Sequence, residues 1–192
     1  MVRCCVNDDA DFDKPRTAQE IARRVIALHC VIAAAHGVSK DDITEWLKEE
    51  QLWNELTPRE LAFMTQDEHP KQEVIWMTWL VEAQVALLWS IRKLDELPPP
   101  MRKCDTSLVI AAMPGLFETT SPFIESAVLR SVEEMEREEE TIYDIHCRVN
   151  QATREGEEIR GYDKDVVFFR HYGLSWVTGY CGQAWDEVTP DT

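Results

Sequence analysis

Three side chains capable of acid–base or metal chemistry, Glu82, His146 and His171, lie on segments that are predicted to be buried. Glu82 falls inside Val74–Ile91, a stretch that is apolar on almost every side of a helix, and such helices are enclosed by protein or membrane. A carboxylate in that environment must be paired, protonated or chemically used. Two imidazoles and a carboxylate suit zinc or non-haem iron. If their helices converge on one interior cleft, Glu82 would serve as base or ligand in a metal-assisted hydrolysis.

A structural role for the same residues is the competing interpretation. Glu139 and His146 interrupt a run of apolar residues spaced alternately by four and three, which predicts one buried helical stripe; the apolar members are Val128, Val132, Met135, Ile142 and Val149. A histidine on a core-facing stripe is commonly hydrogen-bonded, and pairing with Glu82 across two helices would satisfy both groups. We therefore expect a structural polar network containing Glu82, Glu139, His146, Arg170 and Asp186.

Recognised motifs for catalysis and cofactor binding are missing from the sequence. It contains no GxGxxG or GxxxxGK[ST] phosphate loop, no GxSxG nucleophile motif, no HExxH pair and no CxxC pair. We therefore predict no cofactor and no resident metal. The catalytic candidates remain Glu82, His146 and His171.

The elements that must position these residues are helices. Capping boxes at Thr17-Ala18-Gln19-Glu20, Thr57-Pro58-Arg59-Glu60 and Ser131-Val132-Glu133-Glu134 predict three helix starts. We expect a central helix over about residues 70–93 that begins at Pro70. The three prolines at 98–100 predict a short extended segment after it, which we call the proline brace. Shorter helices are expected from Asp105 or Thr106 to Met113 and after Ser121, and a last one from about Asp163 to Val177. The fold class is therefore all-α, a single compact multi-helix domain over 17–192 around the central buried helix, preceded by a polar arm over 1–16.

Charge restricts the partners that this surface can bind. The formal net charge is −16, which repels nucleic-acid phosphates and anionic lipid, so neither nucleic acid nor membrane is expected as a partner. Residues 133–140 hold six Glu and one Arg, the pattern of a solvated helix face. Acidity favours a basic protein partner, although it also promotes solubility alone. The candidate partner-binding residues are Glu133, Glu134, Glu136 and Glu138.

Cysteine usage and the N-terminus predict a cytoplasmic protein. The six cysteines form no metal-ligand spacing, and we expect all of them to be reduced, with Cys4–Cys5 an exposed vicinal pair. The first residues lack the apolar run of a signal peptide. A single membrane span over Val74–Ile91 is disfavoured because Glu82 lies at its centre.

Three separated stretches carry a resemblance to a known family. The first stretch, at the start of the domain, holds Arg16-Thr17 and Ile21-Ala22-Arg23-Arg24. The middle stretch holds Leu52-Trp53, Leu56-Thr57-Pro58-Arg59-Glu60, Trp79-x-x-Glu82-Ala83, Leu88-Trp89, Leu97-Pro98-Pro99-Pro100 and Cys104-Asp105. The last stretch holds Arg170-His171-Tyr172, Trp176 and Trp185-Asp186-x-Val188-x-x-Asp191-Thr192. This pattern resembles the bacterial family known as domain of unknown function 4272. The resemblance runs from about Arg16 to Thr192, and it implies no established activity.

Three functions remain open at this point. The first is a non-enzymatic acidic protein-interaction module, in its sharpest form an immunity-type protein that neutralises a basic bacterial toxin. The second is the metal-assisted hydrolytic enzyme with Glu82, His146 and His171 in an interior cleft. The third is a structural or regulatory scaffold domain, which could be a homo-oligomer.

Overall fold

The computed structural model describes residues 14–157 and 159–190, and over these ranges the chain is helical with no strands. The α-helices are α1 (Ala18–Ala35), α2 (Lys40–Glu49), α3 (Pro58–Thr65), α4 (Lys71–Ser90), α5 (Thr106–Ala112), α6 (Ser121–Glu125), α7 (Val132–Glu155) and α8 (Lys164–Thr178). Single 3-10 turns occupy Trp53–Glu55, Tyr180–Gly182 and Trp185–Glu187. The all-α prediction is confirmed. The Cys4–Cys5 prediction and most of the predicted polar arm lie outside the described residues.

Local capping chemistry sets the starts of α1, α3 and α7. In each, the side chain of Thr17, Thr57 or Ser131 accepts a hydrogen bond from the backbone N–H three residues later. The glutamate at that third position accepts in return from the cap backbone. These reciprocal bonds satisfy donors that a helix N-terminus otherwise leaves open, so the predicted capping boxes are confirmed.

The central helix α4 packs between α1 and α8, and α8 packs in turn against α7. The second half of α4, from Glu82 to Ser90, is buried on every side. In its first half, Val74, Trp76 and Trp79 are only half-buried. The prediction of an enclosed helix therefore holds for the end that lies between α1 and α8, whereas the first half keeps one side partly open to solvent.

A close approach between α4 and α8 depends on Gly173. A Cβ atom at this position would lie 3.0 Å from the carbonyl oxygen of Ala83 and 3.2 Å from Leu87 Cδ1. Both distances are short for carbon in a packed interior. The absence of a side chain at Gly173 thus lets the backbones of α4 and α8 approach closely beside the Glu82–Arg170 contact.

The predicted buried stripe on α7 begins later than the sequence indicated. Met135, Ile142 and His146 are buried, but Val128 is 58% exposed and Val132 is 42% exposed. Ser131 is the N-cap, so Val128 precedes the helix. A short connector makes α7 and α8 antiparallel neighbours. Since α7 has 24 residues and α8 has 15, the first turns of α7 extend beyond the end of α8.

The C-terminal tail is held against the helices. Trp185 and Val188 are buried, and Trp185 accepts a hydrogen bond on its carbonyl oxygen from the Tyr172 hydroxyl. Asp186 accepts a hydrogen bond from the backbone N–H of Arg59 at the start of α3 (3.1 Å). The expectation that Trp185 and Val188 pin the tail is confirmed.

Candidate functional site

Glu82 forms a buried ion pair with Arg170. Glu82 is 0% exposed and Arg170 is 1% exposed. Glu82 Oε2 accepts from Arg170 Nε at 3.0 Å and from Nη2 at 2.8 Å. Glu82 Oε1 accepts from the backbone N–H of Cys104 at 2.7 Å, and Arg170 Nη1 donates to the carbonyl oxygen of Pro98 at 2.8 Å. The expected companion of Glu82 is therefore present, but it is Arg170 and not His146.

This ion pair connects α4 and α8 to the segment that follows the central helix. Pro98 belongs to the predicted proline brace, and Cys104 lies just before α5. Because both carboxylate oxygens of Glu82 and all three guanidinium nitrogens of Arg170 have partners, the desolvation of the two charges is offset. Burial and the adjacent Glu82 charge raise the pKa of the Cys104 thiol to about 12, which keeps that thiol protonated at neutral pH.

His146 and His171 form a second polar cluster at the interface between α7 and α8. Both are buried, and their Nδ1 atoms lie 2.9 Å apart. His171 Nε2 lies 3.7 Å from Glu139 Oε1. A carboxylate favours a proton on the nitrogen that faces it, so we assign the N–H of His171 to Nε2. The unprotonated Nδ1 of His171 then accepts a hydrogen bond from the Nδ1–H of His146.

Aromatic rings enclose this histidine pair. Phe168 lies edge-on to His146 with centroids 5.9 Å apart, and Tyr143 lies edge-on to His171 at 5.7 Å. Burial, with a smaller contribution from His171, lowers the pKa of His146 to about 4. Because of this low pKa, His146 is neutral at physiological pH. Burial also raises the pKa of the half-buried Glu138 carboxyl.

The predicted constellation of Glu82, His146 and His171 is divided between these two clusters. The structure brings His146 and His171 together, while the Glu82 carboxylate is occupied by Arg170 and the Cys104 N–H. Over residues 14–157 and 159–190, no three His, Cys, Asp or Glu side chains are arranged to hold a metal ion.

Sequence reasoning missed a third buried cluster, formed by Arg24 and Glu60. Arg24 Nη2 lies 2.6 Å from both carboxylate oxygens of Glu60, and Arg24 Nη1 donates to the Glu55 carbonyl oxygen at 2.8 Å. The Arg24 guanidinium also stacks over the ring of Trp185 at 5.1 Å. A usable signal was present, because Arg24 falls three residues after Ile21 on the apolar stripe of α1.

The acidic residues predicted to bind a partner differ in how available they are. Glu133 and Glu136 are exposed on α7. Glu134 caps the helix at Ser131 and forms ion pairs with Arg92 (3.1 Å) and Arg130 (3.4 Å). Glu138 is half-buried. Glu133 and Glu136 thus have the greatest freedom to meet another protein.

Arg130 connects this acidic helix to the loop after α4. Its guanidinium donates to the carbonyl oxygens of Trp89 (2.8 Å), Leu94 (3.0 Å) and Asp95 (2.7 Å), in addition to its contact with Glu134. The first turn of α7 is thereby placed beside the exposed residues Asp95 and Glu96. We call the surface formed by Asp95, Glu96, Val128, Val132, Glu133 and Glu136 the α7 acidic face.

The cysteines whose state the structure describes are not all reduced. Cys30, Cys104 and Cys147 are free, as expected. Cys181 is disulfide-bonded, so the expectation of six reduced thiols is wrong at that residue.

A cleft of about 420 Å³ at the start of α1 is lined by Lys14, Pro15, Arg16, Thr17, Glu20, Gly179 and Gly182, none of which was a predicted catalytic residue.

Comparison with known families decides the relationship that the sequence suggested. The family model described as Domain of unknown function (DUF4272) matches residues 3–188. The chain belongs to the DUF4272 family. No curated protein and no solved structure matches this DUF4272 chain. No helix among its described residues has the length and apolar character needed to cross a membrane.

Proposed function

We propose that this DUF4272 protein is a non-enzymatic interaction module that binds a basic protein partner through the α7 acidic face. The supporting observation is the composition of that face: Val128 and Val132 expose apolar side chains beside Glu133 and Glu136. Interfaces commonly combine an apolar centre with a polar rim. The net charge of −16 would accelerate the encounter with a cationic protein.

The finer form of this proposal is an immunity-type protein of a bacterial cytoplasm that covers a basic toxin. The acidity favours a cationic partner, and a toxin that acts on nucleic acid is a protein of that kind. An acidic inhibitor would gain both association rate and specificity from the charge.

The test compares two sets of charge-neutral variants in the full-length protein. A partner captured at low salt from cells that produce the protein is purified, and its association rate is measured at about 50 and 300 mM salt, where screening differs strongly. Glu133→Gln/Glu136→Gln should slow association several-fold at low salt and reduce its salt dependence. Glu45→Gln/Glu49→Gln, which removes the same charge from exposed positions on α2, is the matched control. Equal rates for the two double variants would refute the proposed site.

A scaffold that assembles with itself is a second candidate, and α5 favours it. Leu108 is 48% exposed and Ile110 is 64% exposed on this short helix, an apolar surface of the kind found at protein contacts. Light scattering on the purified protein tests the candidate directly. A dimer that dissociates in Leu108→Ser/Ile110→Ser would support it, and a monomer at high concentration would refute it.

The metal-assisted hydrolase requires more rearrangement than either alternative. Glu82 would have to leave Arg170 and the Cys104 N–H before it could join the two histidines. Metal analysis of protein purified without a histidine tag tests this function, and a stoichiometric metal that is lost in both His146→Asn and His171→Asn would revive it.

A further inference from the structure

The hydrogen bond between His146 and His171 ties two helices together through one shared proton. His146 lies on α7 and His171 on α8. With their Nδ1 atoms 2.9 Å apart, one nitrogen must donate and the other must accept. The contact is therefore sensitive to how many protons the two rings hold.

The protons of the pair can be counted from its geometry. In the neutral pair, His146 Nδ1–H donates inward and His171 Nε2–H faces Glu139. One added proton charges one ring of the pair, whose Nδ1–H then donates to the bare Nδ1 of the other ring, and the inward bond stays intact. A second added proton places N–H groups on both Nδ1 atoms, which then face each other as two donors on two cations. The inward bond cannot survive in that state.

The surroundings make the doubly protonated state costly. The rings of Phe168 and Tyr143 flank the two imidazoles and limit their hydration. The titratable groups of the two helices near the pair include Glu138, Glu139, Tyr143 and Cys147 from α7 and Arg170 from α8. From α4, Glu82 is engaged by Arg170. Glu139 can compensate one positive charge on His171, and within the part of the chain that the structure describes no carboxylate forms an ion pair with His146.

We propose that the His146–His171 pair is an acid-sensitive latch that fastens α7 to α8 and releases when both imidazoles become charged. The latch requires no ligand and stands independently of what α7 binds. If the proposed function is also correct, release would displace the α7 acidic face and weaken partner binding in acid.

Hydrogen exchange of the full chain tests the latch without a partner. Amide exchange in α7 is compared with that in α1 at about pH 7.5 and about pH 5, after correction for intrinsic rates. The second proton of the closed pair binds with the pKa of about 4 that burial and the His171 charge give His146, against 6.5 in the open state, so opening of α7 should become about 30-fold more favourable at the lower pH. Amides of α1 should change much less.

Two substitutions separate the latch from general acid sensitivity. His146→Asn places an amide N–H near the position of Nδ1, and the asparagine cannot be charged. In this variant the opening equilibrium of α7 at about pH 5 should therefore lie within about threefold of its value at about pH 7.5. His36→Asn, at an exposed histidine after α1, should behave as wild type. Opening of α7 that is equal in wild type and His146→Asn would overturn the latch.

Nitrogen NMR of the wild-type imidazoles gives a readout that does not depend on a variant. At neutral pH, His146 should show a proton on Nδ1 and His171 a proton on Nε2. On acidification, the second of the two rings should titrate well below the exposed His36. Two rings that both carry Nε2–H at neutral pH, or that titrate together with His36, would contradict the proposal.

Discussion

Arg170 places Nε and Nη2 on the same carboxylate oxygen of Glu82, at 3.0 and 2.8 Å, in a site from which solvent is excluded. The remaining oxygen of Glu82 and the remaining terminal nitrogen of Arg170 both bind backbone groups of the segment 98–104. The pair therefore has a structural explanation that accounts for every polar atom of the carboxylate. It positions the proline brace as much as it joins α4 to α8.

Removing one charge of this pair should destabilise the fold strongly. Glu82→Gln leaves the Arg170 guanidinium buried without its counter-ion, and such changes cost about 3–5 kcal/mol. Urea unfolding followed by circular dichroism measures the loss. Glu45→Gln on the exposed face of α2 is the control and should change stability by less than about 0.5 kcal/mol.

The double variant Glu82→Leu/Arg170→Met distinguishes a structural pair from a chemical one. With both charges removed, no buried ion is left unpaired, so the double variant should be more stable than Glu82→Gln. A double variant that is less stable than the single one would mean that the backbone bonds to Pro98 and Cys104 matter more than the charges.

Gly173→Ala should disturb the packing of α4 against α8. The new Cβ would lie 3.0 Å from a backbone oxygen, which cannot move without shifting the helix. Overpacking of this kind costs about 1–3 kcal/mol, even though alanine has the higher helix propensity. Thermal unfolding measures the effect, and Thr141→Ala on the exposed side of α7 is the control. A Gly173→Ala variant that is as stable as wild type would show that the two helices can separate freely.

Stability should decrease as the solution is acidified from about pH 7 to pH 5. The pKa of His146 is lowered to about 4 by burial, so between this value and 6.5 the unfolded chain binds a proton that the folded chain does not. By linkage, the free energy of unfolding should fall by about 2 kcal/mol by pH 5. Burial lowers the pKa of His29 as well, which adds to the loss. Glu138, whose pKa is raised, acts in the opposite direction.

Urea midpoints at several pH values measure this dependence, with His146→Asn as the comparison. The variant should lose less stability than wild type over the same interval. Stability that stays constant down to pH 5 in the wild type would contradict the assignment of a neutral, buried His146.

Ser131→Ala should loosen the start of α7. The Ser131 hydroxyl accepts from the Glu134 N–H at 3.2 Å, and loss of an N-cap side chain costs about 1 kcal/mol. Hydrogen exchange of the amides of Glu133 and Glu134 measures the local change. Ser107→Ala, beside the short helix start at Asp105, is a suitable control because its hydroxyl is not the cap. Unchanged protection at α7 would show that the ion pairs of Glu134 hold this turn by themselves.

Helix positions could be predicted from the sequence because capping is local. Thr57, Pro58 and Glu60 lie within one turn, and their chemistry does not depend on the rest of the chain. The partner of Glu82 could not be predicted in the same way. Arg170 is 88 positions away, and which long side chain reaches the carboxylate depends on how closely α4 and α8 pack at Gly173.

The sequence indicated which residues belong to the candidate site better than it indicated how they are arranged. His146 and His171 were both singled out, and they do meet, but their direct contact excludes Glu82 from the same cluster. The exposure of Val132 depends on the difference in length between α7 and α8, which a periodic pattern does not encode. The position of Arg24 on the apolar stripe of α1 indicated a buried charge, but its partner Glu60 is 36 positions away and no sequence motif connects the two.

The bonds made by Arg130 have a consequence for recognition. Three carbonyl oxygens and one carboxylate hold this single guanidinium, so the loop at 94–96 and the first turn of α7 are locked in one relative orientation before any partner arrives. Little conformational entropy is left to be lost on complex formation. A complex formed on this surface should resemble the docking of two rigid bodies, with a rate controlled by charge and salt instead of by slow rearrangement of the loop.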